Sequence, residues 1–408
     1  MLQTVSPEIR SSDIVAPERS GTTDRSDRYP VIDGLRAMAA YYVFVYHVWQ
    51  FAGQPTAKVH AGQFTVDLLA FVSVGATGVD LFMILSGLCL FLPIARSKKN
   101  LDRWNARSFF KRRMLRLMPG YYASIAYVVG LPILLVAVFK LLHIKANWQP
   151  IPDVWQFITH AFFIHTFFTQ TWDGLYGPLW SLGVEAQLYL AFPFAIYAYR
   201  KWGARVFPCA IALSVLYQIG VWAVTHSFNS WALTYIWSVN LLGRWVEFGA
   251  GMLIAWMMTD PAQHVRLRKW LWIGALSIIA VGCFSKAAIL FPWFPMGALT
   301  TASIYFLLAM HACCTPGLVH KAIGNPIFAR IGFISYSIYL VHQDTAFYFS
   351  QFCKKMLHVD GLPLLLLLLT VGFAVVLTVS WFFFLLFEKP FLGTGKPSGS
   401  SALPAVPA

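Results

Sequence analysis

Two side chains in the first apolar run have types and spacing suited to chemistry. Arg36 and His47 stand eleven residues apart between Val31 and Phe51. At 3.6 residues per turn this is about three turns, so both project from one helix face, roughly 16 Å apart along the axis. A guanidinium binds phosphate or a carbonyl oxygen through paired N–H donors. An imidazole kept neutral in an apolar site can accept a proton. One end of this stripe suits an anion, the other proton transfer. The plain structural alternatives are snorkelling of Arg36 to a membrane surface and an interhelical hydrogen bond from His47.

The other apolar runs hold Asp80, Glu185, Arg244, Glu247, His342 and Asp344. An ionisable group at the centre of a membrane span costs roughly 2.5–3.5 kcal/mol on insertion scales. A packing role alone does not need so many of them. Arg244 and Glu247 are three residues apart and read as an intrahelical pair or a substrate contact. Tyr336, Tyr339 and His342 recur at three-residue steps and share a face, while Asp344 diverges from His342 by about 200°. Arg113 and Arg116, with Arg36, fall near one membrane edge. There they either anchor the chain or draw in an anion. Ser86-Gly87 lacks a nucleophile elbow and reads as close helix packing. His160, His165 and His311 read as lone interfacial histidines. The six cysteines make no CxxC and no metal-ligand spacing, so no metal site is expected.

The elements that position these groups follow from composition. Of 408 residues, 58% are hydrophobic and only 12% are charged. That excludes a water-soluble globular chain and, for the bulk of the sequence, disorder. Continuous rather than alternating apolar runs argue against a β-barrel. The net charge of +14 comes without any nucleic-acid motif, so it reads as positive-inside bias plus attraction for an anionic ligand. The stretch from Arg96 to Arg116 holds nine basic residues and one acid, Asp102, which marks a cytoplasmic loop.

Spans are expected near 31–51, 66–95, 120–142, 179–199, 206–226, 231–258, 270–285, 289–311, 332–352 and 362–387. The basic turns Arg200-Lys201…Arg205 and Arg266…Lys269 then share the face of the 96–116 loop. The apolar stretch 155–169 is too short to cross and is expected to be interfacial or re-entrant. The fold class is therefore all-α: a multi-pass protein of the cell membrane with about ten transmembrane helices and both termini cytoplasmic. Residues 1–29 are expected to be a disordered cytoplasmic tail, 30–392 one membrane domain and 393–408 a disordered C-terminal tail.

Seven motifs, in order along residues 30 to 392, resemble acyltransferase family 3. "DGLRAMAAYYVFVYH" resembles its opening Arg and His pair. "GVDLFMILSGL" is similar to its second-span motif. "RRMLRLMPGYY" places Arg113, Arg116, Pro119 and Tyr121 on an Arg-x-x-Arg-Leu-x-Pro-x-Tyr pattern. "LWSLGVEAQLYLAFP" matches at Trp180, Ser181, Glu185, Gln187 and Tyr189, with Ala186 where a second Glu is common. "GRWVEFGAGML" puts Arg244 and Glu247 on an Arg-x-x-Glu-Phe pattern. "ISYSIYLVHQ" carries Ser335, Tyr336, Tyr339 and His342, and "FEKPF" carries Glu388 and Pro390.

The resemblance implies O-acylation. An acyl group, by default acetyl, passes from acyl-CoA to a hydroxyl of a cell-envelope glycan, a lipid-linked sugar or a glycosylated metabolite. A thioester is already activated, so acyl-CoA serves as a substrate and no permanently bound cofactor is expected. The tail after Leu392 leaves no room for the extra hydrolase-like domain of some members, so this chain would complete the transfer itself or with a separate partner. The attacking hydroxyl must lose a proton, with His47 as the candidate base. Glu185 or Asp80 would orient it as a carboxylate orients a hydrolase histidine. Asp80, mid-span, is nearer to His47 in depth; Glu185 is about one turn in from the outer end of its span. Arg36, Arg113 and Arg116 are the candidate acyl-CoA contacts. Trp180, Ser181, Arg244, Glu247, Tyr336, Tyr339 and His342 are candidate acceptor-binding or pore-lining residues. The competing reading is a proton-coupled transporter or flippase, against which stands the lack of a visible internal repeat.

Overall fold

The computed structural model describes residues 29–61, 64–141, 153–172, 174–227, 231–287 and 296–392. The expected tails therefore lie outside the described residues, save for Tyr29. The regular elements among the described residues are helices and one antiparallel ribbon, Lys58–Ala61 with Phe64–Asp67, in the register Lys58 to Asp67. Among the described residues, four stretches are long and apolar enough to cross a membrane: Gly75–Ala95, Ala106–Val138, Leu179–Thr225 and Gly361–Phe391. Gly75–Ala95 is buried along most of its length, whereas only a minority of positions in the other three are buried. It is the centre of the bundle, and they turn apolar side chains outward, as lipid requires.

The first helix, Pro30–Phe51, opens with Pro at its first position and Asp33 in its first turn, both favourable at a helix start. The apolar run from Val66 does not form one span. Its first residues make the ribbon's second strand, a short helix at Ala70–Ser73 and a tight turn at Gly75–Thr77. The helix proper is Gly78–Ala95, so Asp80 lies in its first turn rather than mid-span. This helix packs on Trp245–Thr259 through reciprocal glycines. A Cβ on Gly87 would lie 2.0 Å from the Phe248 carbonyl oxygen, and one on Gly251 would lie 1.8 Å from that of Ile84. Neither position tolerates a side chain while the backbones lie this close.

The 155–169 stretch forms a short helix, Val154–Ala161, and a tight turn, His165–Phe167. Asp153 caps the helix by accepting from the Gln156 amide at 2.8 Å. Its 8 residues rise only about 12 Å, too little to cross. The expected 231–258 span is broken into Trp231–Ser238 and Trp245–Thr259. Side chains satisfy the interrupted backbone, as an apolar medium demands. Asn240 Oδ1 accepts from the Leu242 and Gly243 amides, and Gln187 Oε1 accepts from the Leu241 amide. Ser214 and Gln218 donate to the Gly243 carbonyl. The basic turns are themselves helical: Ala106–Leu141 includes Arg107 to Arg116, and Pro261–Ala287 includes Arg266 to Lys269. Of the expected 289–311 span, Met296–Cys314 is helical and 289–295 lies outside the described residues.

One end of the bundle gathers the basic segments. Arg200 donates to the carbonyls of Leu101, Asp102 and Trp104, the last at 3.4 Å. Arg96 hydrogen-bonds the Tyr29 hydroxyl, its guanidinium 4.8 Å from the ring centre. Ser335–Met356 starts at this end too, because Ser335 lines a cavity with Arg36 and Arg116.

Candidate active site

Arg36 and His47 face two cavities that share a wall. The first is lined by Arg36, Ser86, Arg113, Arg116, Glu185 and Tyr336, among others. The second is lined by Tyr46, His47, Gln50, Trp172, Trp180 and Gln343, among others. Val79 and Tyr339 border both. Tyr339 is held in place by its hydroxyl, 2.6 Å from Ser181 Oγ and 3.0 Å from the Pro178 carbonyl oxygen, to which it donates. The first turn of Leu179–Trp202 thus packs against the partition, with Ser181 in one cavity and Trp180 in the other.

The first cavity is the cationic one. Its lining carries three guanidinium groups against one carboxylate. Arg113 and Arg116 lie three apart on Ala106–Leu141 and project together. The Arg113 guanidinium packs on the rings of Phe109 and Tyr189, 5.9 and 5.8 Å from their centres. Glu185 accepts from Ser86 at 2.7 Å and from Tyr189 at 2.5 Å. Tyr336 donates to the Leu117 carbonyl at 2.8 Å, tying Ser335–Met356 to the arginine helix. A surplus of fixed guanidinium groups in a partly desolvated cleft selects an anion with several oxygens, such as a phosphate.

The second cavity has a different chemistry. Its polar groups are neutral amides, an imidazole and hydroxyls, and two tryptophans face it. Aromatic faces beside hydrogen-bonding side chains suit a polyhydroxylated ligand. The His47 ring lies 5.2 Å from that of His342, centre to centre. Nδ1 of His47 and Nε2 of His342 are buried without a hydrogen-bond partner.

Neither candidate carboxylate reaches His47. Asp80 accepts from Arg244 at 2.7 Å and from Thr301 at 2.6 Å, and the same Arg244 nitrogen donates to Glu247 at 2.8 Å. Asp80, Arg244, Glu247 and Thr301 form one hydrogen-bonded cluster that joins Gly78–Ala95, the start of Trp245–Thr259 and Met296–Cys314. The Arg244 guanidinium lies 5.6 Å from the ring centre of Trp180, which lines the second cavity. Glu185 lies in the arginine cavity rather than near the far surface, because its helix starts at the partition. The structure thus brings together Arg36, Arg113, Arg116, Glu185, Ser181, Tyr336 and Tyr339 in one cavity. His47 and Trp180 line the other, with His342 beside His47.

Sequence reasoning missed three features. Ser86 faces the arginine cavity, while its neighbour Gly87 makes the helix packing. Gln50 and Gln343 line the His47 cavity, and no spacing singled them out. His160 and His165 are not isolated: their rings stack with centres 4.0 Å apart and planes 6° apart, fully buried. His165 Nε2 lies 3.1 Å from the Leu179 carbonyl oxygen, which accepts, and a Cβ on Gly183 would lie 2.9 Å from the His165 ring. The pair braces the start of the Glu185 helix. Burial pushes the two imidazoles down to about 4 and about 3, and for His165 the neighbouring His160 adds to the effect. Among the described residues, no group of three or more His, Cys, Asp or Glu could hold a metal.

Residues 29–385 match a family model described as an acyltransferase domain. Nodulation protein 10 of Rhizobium leguminosarum bv. viciae is 26% identical over 339 residues, covering 76% of this chain and 81% of the relative. Acyltransferase MdmB of Streptomyces mycarofaciens is 26% identical over 337 residues, 77% of this chain and 78% of the relative. A protein of Staphylococcus aureus (strain COL) named as an O-acetyltransferase is 25% identical over 345 residues, 77% of this chain. The chain spans about half the length of that staphylococcal relative, 50%. No solved structure matches.

Proposed function

Because this chain belongs to the acyltransferase family whose domain it carries over residues 29–385, and is thus a membrane-embedded acyltransferase, we propose that it moves an acetyl group from acetyl-CoA to a sugar hydroxyl. The observation that carries this reading is the single helix face that puts Arg36 in an arginine-lined cavity and His47 in an aromatic, neutral one across a shared wall.

Acetyl-CoA carries its phosphates at one end and its thioester at the tip of a long flexible arm. With the phosphates on Arg36, Arg113 and Arg116, the arm extends past Tyr339 toward His47. The rise of roughly 16 Å between Arg36 and His47 suits such an extended donor. His47 takes the proton of the acceptor hydroxyl as its oxygen attacks the thioester carbon. The carbon–sulfur bond then breaks, and the imidazolium returns the proton to the leaving thiolate. Ser181 and Tyr339 stand at the partition, and whichever hydroxyl gives up its bond to the Pro178 carbonyl can donate to the developing oxyanion. No permanently bound cofactor enters this scheme.

The acceptor class rests on Trp172, Trp180, Gln50 and Gln343 around the second cavity, chemistry suited to a glycan, a lipid-linked sugar or a glycosylated metabolite. The acyl group rests on the name O-acetyltransferase among the relatives. In the membrane we place ten crossings, with both termini and the arginine cavity on the cytoplasmic side, where coenzyme A is found. The broken stretch 231–259 counts as one crossing. The test is transfer from radiolabelled acetyl-CoA by the purified protein to a panel of glycans and glycosylated lipids. His47→Ala is expected to lower the rate at least 100-fold; full activity in that variant would remove His47 as the base.

A further inference from the structure

Asp80 bonds Arg244 and Thr301, and Glu185 bonds Ser86 and Tyr189, while the ring beside His47 is the imidazole of His342. His342 is 1% exposed. Its Nδ1 lies 2.8 Å from the carbonyl oxygen of Tyr339. A carbonyl oxygen only accepts, so Nδ1 carries the proton and the neutral ring bears its lone pair on Nε2. That Nε2 is buried and unpartnered, and so is Nδ1 of His47, on the ring 5.2 Å away. An imidazole nitrogen sits about 1.2 Å from its ring centre, so an in-line N–H···N bond of about 2.9 Å places two ring centres about 5.3 Å apart. The observed separation of 5.2 Å is within about 0.1 Å of that value. Two buried groups left unpaired are costly, and each is the complement that the other lacks.

We propose that His342 is a positioning residue that fixes the tautomer of His47. His342 Nε2 accepts from His47 Nδ1–H, which leaves the lone pair of His47 on Nε2, the nitrogen turned to the second cavity. This rests on His47 being the base that takes the acceptor's proton. A histidine alone prefers its proton on Nε2, which would block that nitrogen; the neighbour reverses the preference. His342 does for His47 what a buried carboxylate does in a hydrolase triad, without placing a negative charge in the membrane. The other titratable groups facing the pair are Tyr46 on the His47 helix and Tyr339 on the His342 helix. Among the described residues lining this cavity there is no carboxylate and no cation.

The experiment is NMR of the detergent-solubilised full chain with 15N-labelled histidine at pH 8, the His47 signals being those lost in His47→Gln. In the wild type Nε2 of His47 is expected unprotonated and Nδ1 protonated. His342→Phe keeps the ring volume but offers no acceptor, and His47 should revert to the Nε2-protonated form. In His342→Gln the amide oxygen can accept, and the wild-type signals should persist. Acetyl transfer should follow: kcat about 10–100-fold lower in His342→Phe, largely restored in His342→Gln, with KM for acetyl-CoA unchanged. A wild-type His47 already protonated on Nε2, or signals unmoved in His342→Phe, would overturn the pairing. Full activity in His47→Ala would instead overturn the catalytic role of His47, while the tautomer signals still decide the pairing.

Discussion

At the scale of single residues, each cavity makes a separable demand on the kinetics. Arg116 shares the first cavity with Arg36 and Arg113 and touches nothing in the second. A charge-assisted hydrogen bond to phosphate contributes roughly 1.5–3 kcal/mol, and each 1.4 kcal/mol is about tenfold in affinity. Arg116→Ala is therefore expected to raise KM for acetyl-CoA about tenfold or more with kcat little changed. Steady-state kinetics against acetyl-CoA check this; a fall in kcat at constant KM would show that the arginine does not anchor the donor. The split between Arg36 and His47 was legible in the sequence because one helix supplies both azimuth and depth: eleven residues fix the face and the rise together. The partner of His47 was not legible. Asp80 sits at a comparable height, yet its azimuth is set by Gly87 and Gly251, which turn its helix toward Arg244. Spacing within one helix carries no information about rotation relative to another.

At the scale of elements, close backbone contact and buried imidazoles set the stability of the site. Gly251→Leu would drive a side chain into the Ile84 carbonyl, whereas a Cβ on Gly249 of the same helix meets nothing nearer than 3.5 Å. Overpacking costs about 1–3 kcal/mol or more. Melting of the purified protein should show a clear loss of Tm for Gly251→Leu and little change for Gly249→Ala. Equal effects would mean that the two helices are not locked at that point. The stacked histidines add a pH dependence. Their native values, about 4 and about 3, lie below the ordinary value near 6.5. The unfolded chain therefore takes up protons first as pH falls below about 6.5, and stability declines until the native rings protonate near pH 4 to 3. Tm should fall over this window and fall less steeply in His165→Gln; parallel curves would remove the pair as a source. The break at 239–244 also belongs to this scale. The run from Trp231 to Met258 reads as one apolar span, and only Asn240 and Gly243 hint otherwise. Besides Asn240 itself, the side chains that satisfy the break, Gln187, Ser214 and Gln218, come from other helices.

At the scale of the whole molecule, the direction of two helices fixes which surface loops share a side. Pro30–Phe51 starts beside Arg96, through Tyr29, and its 22 residues rise about 33 Å, carrying Lys58 to the opposite end. Ser335–Met356 likewise starts at the arginine cavity and, 22 residues long, ends with Lys355 far from it. Arg200 packs on the C-terminal end of the short helix Lys98–Arg103, so Lys201 stays at the basic end. In the arrangement proposed above, the inward preference of Lys and Arg puts Arg107 and Lys201 in the cytoplasm, and Lys58 and Lys355 outside. The arginine cavity then opens toward the cytoplasm, and the His47 cavity toward the far leaflet. Single cysteines at these four positions, in a chain whose six native cysteines are replaced by serine or alanine, should divide cleanly. A membrane-impermeant maleimide added to intact cells should label positions 58 and 355, and should reach 107 and 201 only after lysis. Labelling of 58 and 201 from the same side would break the ten-crossing arrangement. It would also put donor and acceptor on one face, leaving the two-cavity path with no membrane to cross.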